Sequence, residues 1–259
     1  MFPDQRKQQI LELLANDGSV TVAQLSSLLG VSSVSIRRDL GALQAAGLLK
    51  RTHGGAVTGH IAAFEPSEAE KEDQLREEKI AIAEVAAAMV QEGETVLLDA
   101  GSTTLQIAKL LKARRDIAVI TNALNIAAEL ASGEAEITLI GGSLRTNTLS
   151  LVGPVAENTL ASLYVDRLFL AANGVDLKRG LTTPNLLEAH TKKTMVKSAR
   201  EVIVVADHTK FGRVTVSQFC EIGEIHCFIT DTGAPADFVS ALEGRGVRVI
   251  LADGRHRGG

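Results

Sequence analysis

Seven short runs rich in Val, Ile and Leu recur from Thr95 onward: "TVLLDA", "IAVIT", "ITLIGG", "RLFLAAN", "VIVVAD", "CFITD" and "VRVILAD". Their near-continuous apolar character predicts strands buried on both faces, unlike the alternation of a half-exposed strand. Most are separated by helical segments such as "TTLQIAKLLK" and "LEAHTKKTMVKSA". Fully buried strands joined through helices predict an α/β sandwich, a mainly parallel sheet with helices on both faces. No internal repeat or low-complexity segment interrupts the pattern.

The first sixty residues lack such runs and are organised differently. In "QRKQQILELLAND" the apolar residues Ile10, Leu11, Leu13 and Leu14 recur at helical spacing, and Asn16-Asp17-Gly18 ends the run. After a short extended Ser19-Val20, Thr21 can cap a second helix, "VAQLSSLLG", in which Gly30 makes the sharp turn. Ser32 can cap a third, with Ile36, Leu40 and Leu43 as its inward stripe and Gly47 as its end. Two helices joined by a Gly-containing turn form a helix-turn-helix, whose second member can enter the major groove. With the stripe inward, Ser33, Val34, Arg37, Arg38 and Gly41 fall on flanking or outer surface. "LLKRTHGGAV" then alternates briefly and turns on Gly54-Gly55, as a β-hairpin wing would. The candidate DNA contacts are Thr21, Ser32, Ser33, Ser35, Arg37, Arg38, Lys50, Arg51 and His53. Guanidinium groups suit guanine edges and phosphates, and cations on a wing suit the neighbouring backbone.

Charge agrees in sign. Residues 1–60 set Arg6, Lys7, Arg37, Arg38, Lys50 and Arg51 against Asp4, Glu12, Asp17 and Asp39, a net +2 in a chain whose total is −4. The remainder therefore carries −6, and a basic head on an acidic body fits a head that meets phosphates. "MFPDQRKQQI" lacks the apolar core of a secretory signal, and no apolar stretch reaches membrane-spanning length. A cytoplasmic protein with no membrane partner is expected. Two cysteines, Cys220 and Cys227, read as buried thiols, and no metal or cofactor is expected.

Polar residues gather after the strands, where α/β sheets bind ligands. "LLDAGSTT" is strand, Gly-containing turn and helix start, so its backbone N–H groups and the hydroxyls of Ser102, Thr103 and Thr104 can surround a phosphate. Asn122 ends a second strand, Gly141-Gly142 a third, and Gly174 with Asp176 a fourth, while Lys210 in "DHTKFG" supplies a cation. Successive polar strand ends favour an anionic-ligand site. Residues 57–68, "VTGHIAAFEPSE", read as a linker, followed by one helix over "AEKEDQLREEKIAIAEVAAAMVQEG" with an apolar stripe through Ile80, Ile82, Val85 and Met89. Its acid-rich front half reads as a solvated face.

"SSVSIRRDL", "LQAAG" and "RTHGGA" resemble the N-terminal pattern of the DeoR family of bacterial transcriptional regulators, departing from it in "SSVS". The body is similar to the family's effector domain through Asp99 with "GSTT", "TN", "GG", Glu188-Ala189 and "ADHTKFG". The resemblance implies a winged helix-turn-helix followed by a domain resembling ribose-5-phosphate isomerase-like folds that senses phosphorylated sugars. It implies that Gly101, Ser102, Thr103 and Thr104 hold phosphate, and that Asn122, Asp176, Glu188 and Lys210 face sugar hydroxyls or phosphate. "SLVGP" and "TTPNLLEA" look closest to amino-sugar branches of the family. The expected organisation is a DNA-binding head at 1–57, linker and start of a connecting helix at 58–74, a sensing domain at 75–253 and a basic disordered tail at 254–259. The expected partners are operator DNA and a phosphorylated sugar, in a homodimer or homotetramer. The alternatives are a sugar-phosphate isomerase with an accessory head, using Asp99, Asp176, Glu188 and Lys210 as acid, base and cation, and an architectural DNA-binding protein. A head and a pocket together favour the regulator.

Overall fold

The computed structural model describes residues 3–17, 19–45, 48–52, 54–57 and 68–253. The chain divides into two compact units, Met1–Phe64 and Glu65–Gly259.

In the first unit, α1 (Pro3–Asp17), α2 (Val22–Leu29) and α3 (Ser33–Ala45) enclose Ile10, Leu14, Leu25, Ile36, Leu40 and Leu43. The inward stripe expected for α3 is the buried one. Thr21 caps α2 reciprocally with Gln24: the Gln24 N–H donates to Thr21 Oγ1 at 3.1 Å, and the Thr21 N–H donates to Gln24 Oε1 at 2.9 Å. Gly30 closes α2 in the left-handed region at φ 64°. Ser32 Oγ accepts the Ser35 N–H at 3.3 Å, which starts α3. The wing holds one strand more than a hairpin. β3 (Gly55–Val57) pairs antiparallel with both β2 (Lys50–Arg51) and β1 (Ser19–Thr21). A Cβ at Gly55 would lie 1.9 Å from the Val20 carbonyl oxygen, so the β1–β3 contact requires glycine there.

The seven apolar runs are the seven strands of one parallel sheet. They are β4 (Thr95–Leu98), β5 (Ala118–Thr121), β6 (Glu136–Leu139), β9 (Val165–Leu170), β12 (Ala199–Val205), β14 (Cys227–Asp231) and β15 (Arg248–Ala252), ordered β15-β14-β12-β9-β4-β5-β6. Alternate residues of the inner strands feed two cores, while the edge strand β6 is mostly exposed. Val96, Leu98, Phe169 and Ile203 pack under α5 (Arg76–Ala88), α6 (Ser102–Leu111) and α7 (Leu124–Leu130). Leu97, Leu168, Leu170 and Val204 pack under α8 (Pro154–Ala161), α9 (Leu186–Ser198) and α10 (Ala236–Glu243). The chain runs outward from β4 through β5 to β6, then returns to place β9 on the other side of β4. The direction of winding therefore reverses between β4 and β9, the kind of position at which open α/β sheets bind ligands.

Three expectations about the body need correction. The connecting helix is two helices, α4 (Glu68–Asp73) and α5, separated by Leu75 at φ 49°. Its buried face runs through Ala81, Ile82, Ala83 and Ala86, with Ile80, Val85 and Met89 only partly covered, because small alanines allow α5 to lie close to α6 and the sheet. The charged front is not wholly solvated, since Lys79 is buried. Short antiparallel pieces, unforeseen in the sequence, decorate the sheet: a ribbon of β7 (Ser143–Arg145) with β8 (Ser150–Val152), and a three-stranded set of β10 (Gly174–Asp176), β11 (Gly180–Thr183) and β13 (Ser217–Cys220). Cys220 and Cys227 are free and buried. No helix among the described residues is long and apolar enough to cross a membrane.

Candidate functional site

In the head, Arg37 and Arg38 are exposed on α3 and have no ion-pair partner among the described residues. The neighbouring acid does not take them. Asp39 turns inward and accepts Arg6 Nε at 2.6 Å in a buried pair. Ser33 and Ser35 are half-buried in the first turn of α3, Ser32 and Thr21 are exposed at the caps, and Arg51 is exposed on β2. The Lys50 side chain and His53 lie outside the described residues, as do residues 58–67 and 254–259.

In the body, β4 ends at Asp99, which is 1% exposed. Its Oδ2 accepts the Ala171 N–H at 3.0 Å, from the end of β9, and is ion-paired with Lys192 Nζ. Lys192 also donates to the Ala171 carbonyl at 3.0 Å and lies 5.3 Å from the centre of the Phe219 ring. Asp99 Oδ1 is buried without a hydrogen-bond partner, and so is Asn122 Oδ1 at the end of β5. Burial pushes the Asp99 carboxyl up from its ordinary value, against the opposing pull of Lys192 and the Ala171 N–H. Two acceptors at adjacent strand ends thus lack donors among the described residues.

The first turn of α6 follows directly. Gly101 offers no capping side chain, and Ser102, Thr103 and Thr104 are buried beside the open N–H groups. Thr104 Oγ1 donates to the Gly101 carbonyl at 2.8 Å. A Cβ at Gly101 would lie 2.9 Å from the Ala171 Cβ, so glycine lets this turn approach β9.

Glu188 is buried on α9, one turn before Lys192. Its Oε1 accepts Thr148 Oγ1 at 2.8 Å and Ser150 Oγ at 3.1 Å and is paired with Arg145, while Oε2 accepts Thr183 Oγ1 at 3.0 Å. Arg145, Thr148 and Ser150 all belong to the β7–β8 ribbon and its turn. That ribbon also meets Asn122, whose Nδ2 donates to the Leu151 carbonyl at 3.2 Å. Asp99, Lys192, Glu188, Arg145 and Asn122 thus form one connected polar group. A second lies at the end of β12, two strands from β4: Lys210 Nζ is 3.6 Å from Asp207 Oδ2, and burial lowers the Lys210 pKa despite the Asp207 charge.

Other expected residues have structural work here. Asp176 Oδ1 accepts the N–H groups of Lys178 at 2.9 Å and Arg179 at 2.7 Å, capping the β10–β11 turn. Gly174 leaves no room for a Cβ, which would lie 2.5 Å from the Arg213 carbonyl oxygen. A Cβ at Gly142, at φ 144°, would lie 2.8 Å from the Val152 carbonyl oxygen on β8, while Gly141 is exposed. Sequence reasoning overlooked Lys192, Arg145, Thr148, Ser150, Thr183 and Asp207. Lys192 had a signal, its spacing of four from Glu188 on one helix. The ribbon residues had none, because their meeting with Glu188 spans about forty positions.

Burial alone would raise the Glu188 pKa, but Lys192, Arg145 and the Thr148 and Thr183 hydroxyls outweigh it and hold the carboxyl below its ordinary value. A depressed folded-state pKa contributes stability above the unfolded value, near 4.5, and loses it as pH falls through the folded value. Glu188→Gln is therefore expected to flatten the pH dependence of stability below about pH 5. At neutral pH it should cost about 2 kcal/mol through loss of the charged contact with Arg145. Urea titrations between pH 3 and pH 7 check both; an unchanged acid limb would show that Glu188 is not the group responsible.

A helix-turn-helix with free arginines, followed by an α/β body with a polar strand-end site, defines the class of a DNA-binding regulator with a sensor. Residues 6–61 match the family model described as the DeoR-like helix-turn-helix domain, and residues 74–232 match that of the DeoR C terminal sensor domain. The chain belongs to the DeoR family of transcriptional regulators. It is 42% identical over 250 residues to the HTH-type transcriptional regulator GlpR of Haloferax volcanii, covering 96% of this chain and 98% of that one. The putative aga operon transcriptional repressor of Escherichia coli O157:H7 is 38% identical over 250 residues, covering 95% and 93%. A solved ribose 5-phosphate isomerase A from Methanocaldococcus jannaschii matches 51% of this chain and 53% of its own at 19% identity, with a TM-score of 0.39. The relatives are regulators, and so is this chain; the isomerase alternative is set aside.

Proposed function

We propose that this regulator represses a sugar-catabolism operon and is released from its operator by a phosphorylated sugar bound at the strand ends of the body. The observation that carries the reading is the pair of buried, unpartnered oxygens, Asp99 Oδ1 and Asn122 Oδ1, beside the uncapped first turn of α6. Acceptors without donors suit sugar hydroxyls, and an open helix N-terminus suits phosphate. In this reading Gly101, Ser102, Thr103 and Thr104 cradle the phosphate, Asp99 and Asn122 take hydroxyls, and Glu188 and Lys210 complete the site. Lys192 is a positioning residue, since its ammonium fixes Asp99 to the end of β9. Gly141, Gly142, Gly174 and Asp176 shape the surrounding backbone. The E. coli relative, a putative aga operon transcriptional repressor, supports the repressor role.

The head is assigned to 1–57, the linker and start of the connecting helices to 58–74, the sensor to 75–253 and the basic tail to 254–259. Thr21 and Ser32 position the reading helix, Ser33, Ser35, Arg37 and Arg38 face DNA, and Lys50, Arg51 and His53 face phosphates beside it. A homodimer or homotetramer in the cytoplasm would space two heads for half-sites about one helical turn apart or a multiple of it. The effector shifts DNA affinity by its differential affinity for two arrangements.

A thermal-shift screen against pentose, hexose and amino-sugar phosphates tests the sensor. At about 100 times Kd a ligand selective for the native state adds about 2.7 kcal/mol and raises Tm by several degrees. The same compounds without phosphate should do far less. Equal shifts from sugar and sugar phosphate would reject the phosphate cradle.

A further inference from the structure

α4 is the first described element after residues 58–67, and at six residues it is too short to persist by itself. Its start, its end and one side are each held, and the contacts at the start and the end lead back to the polar strand ends. At its start, the Glu68 N–H donates to the Asn147 carbonyl at 3.0 Å. Asn147 lies in the turn between β7 and β8, beside the Arg145, Thr148 and Ser150 groups that occupy Glu188 Oε1. At its end, buried Lys79 Nζ donates to the carbonyls of Lys71 and Gln74, and Lys79 interacts electrostatically with Asp207 and Lys210. On its side, Glu72 Oε1 pairs with Lys109 Nζ at 2.9 Å, and Lys109 is in the last turn of α6.

The ribbon and an effector compete for the same carboxylate. Glu188 Oε1 already serves three donors, more than the lone pairs of one oxygen accommodate comfortably. Among the described residues Oε2 holds Thr183 alone, whereas a sugar hydroxyl that donates to Oε1 displaces a ribbon group, and a displaced ribbon carries the Asn147 carbonyl away from Glu68.

We propose that α4 is a latch, docked on the sensor when the strand-end site is empty and released when a sugar phosphate displaces the β7–β8 ribbon from Glu188. The proposal rests on the sensor reading above. It assigns the signal to a change in how the segment preceding α5 is held. The covalent path from there to the head is residues 58–67.

Hydrogen–deuterium exchange on the full chain tests it, because one measurement reads the cradle at residues 99–105 and the latch at residues 70–75. The probes are ribose 5-phosphate, glucosamine 6-phosphate, galactosamine 6-phosphate and fructose 1-phosphate, chosen with the thermal-shift screen. The expected result is slower exchange in the cradle together with about fivefold faster exchange in the latch. A protected cradle with an unchanged or slower latch overturns the latch and leaves the sensor standing. A cradle that no sugar phosphate protects overturns the sensor reading and the latch with it.

A pair of variants isolates the tether. Proline is accommodated at the first helical position, so Glu68→Pro deletes the donor to Asn147 without breaking α4, and Glu68→Ala controls for the lost side chain. Latch exchange should be about fivefold faster in the proline variant than in the alanine variant. By reciprocity it should also bind the probe about fivefold more tightly. Equal exchange and equal affinity in the two variants overturn the latch.

Discussion

Arg37→Ala combined with Arg38→Ala is expected to weaken operator binding by about 100- to 1,000-fold, as lost bidentate contacts of about 1–3 kcal/mol each would do. The fold should survive, because both side chains are exposed and the buried acid between α1 and α3 is satisfied by Arg6. Gel shifts on the promoter fragment retained by the wild type measure the loss, and unaltered retardation rejects the head assignment. The single variants divide the roles. An arginine bound to phosphate lowers the slope of log affinity against log salt by about one and weakens all sequences alike. An arginine that reads a guanine leaves the slope nearer its original value and relaxes preference at one position.

Ser102→Asp is expected to have the second large effect, a loss of about 1,000-fold in effector affinity. A carboxylate about 4 Å from a phosphate repels each unit of its charge by about 4 kcal/mol at an effective dielectric of about 20. The same substitution places an acid in the first turn of α6, where the helix dipole favours it by about 0.3–1 kcal/mol. Melting temperature should therefore stay within a few degrees while operator release by sugar phosphate disappears. Ligand titration and DNA release measured on one preparation separate the two effects, and an undiminished response would place the phosphate elsewhere.

Much of this protein could be read before folding. The seven sheet strands announced themselves through unbroken Val, Ile and Leu, a pattern local to each segment. Only the inner strands are buried on both faces, however, and the edge strands β6 and β15 leave Leu139 and Leu251 exposed. Thr21, Gly30 and Ser32 marked the head helices through caps that involve neighbours three residues away or fewer. Ser102–Thr104 could be placed because a strand, a glycine turn and a helix start are contiguous. What escaped was short or distant. The β7–β8 and β10–β11–β13 pieces are three or four residues long, too brief for periodicity to register. The break at Leu75 hid inside a run with uninterrupted helical composition.

The amino-acid order by itself settled the fold class, the two-part plan and the outward face of α3, since these follow from which residues leave water and at what spacing. Only the tertiary structure decided that Lys192 clamps Asp99, that Arg145 occupies Glu188, and that Asp39 pairs with Arg6 instead of with Arg37 or Arg38. Those pairings join positions 93, 43 and 33 residues apart. Buried charges must find partners, and the choice of partner is made by the packing of whole helices and strands, on which no local window of sequence reports.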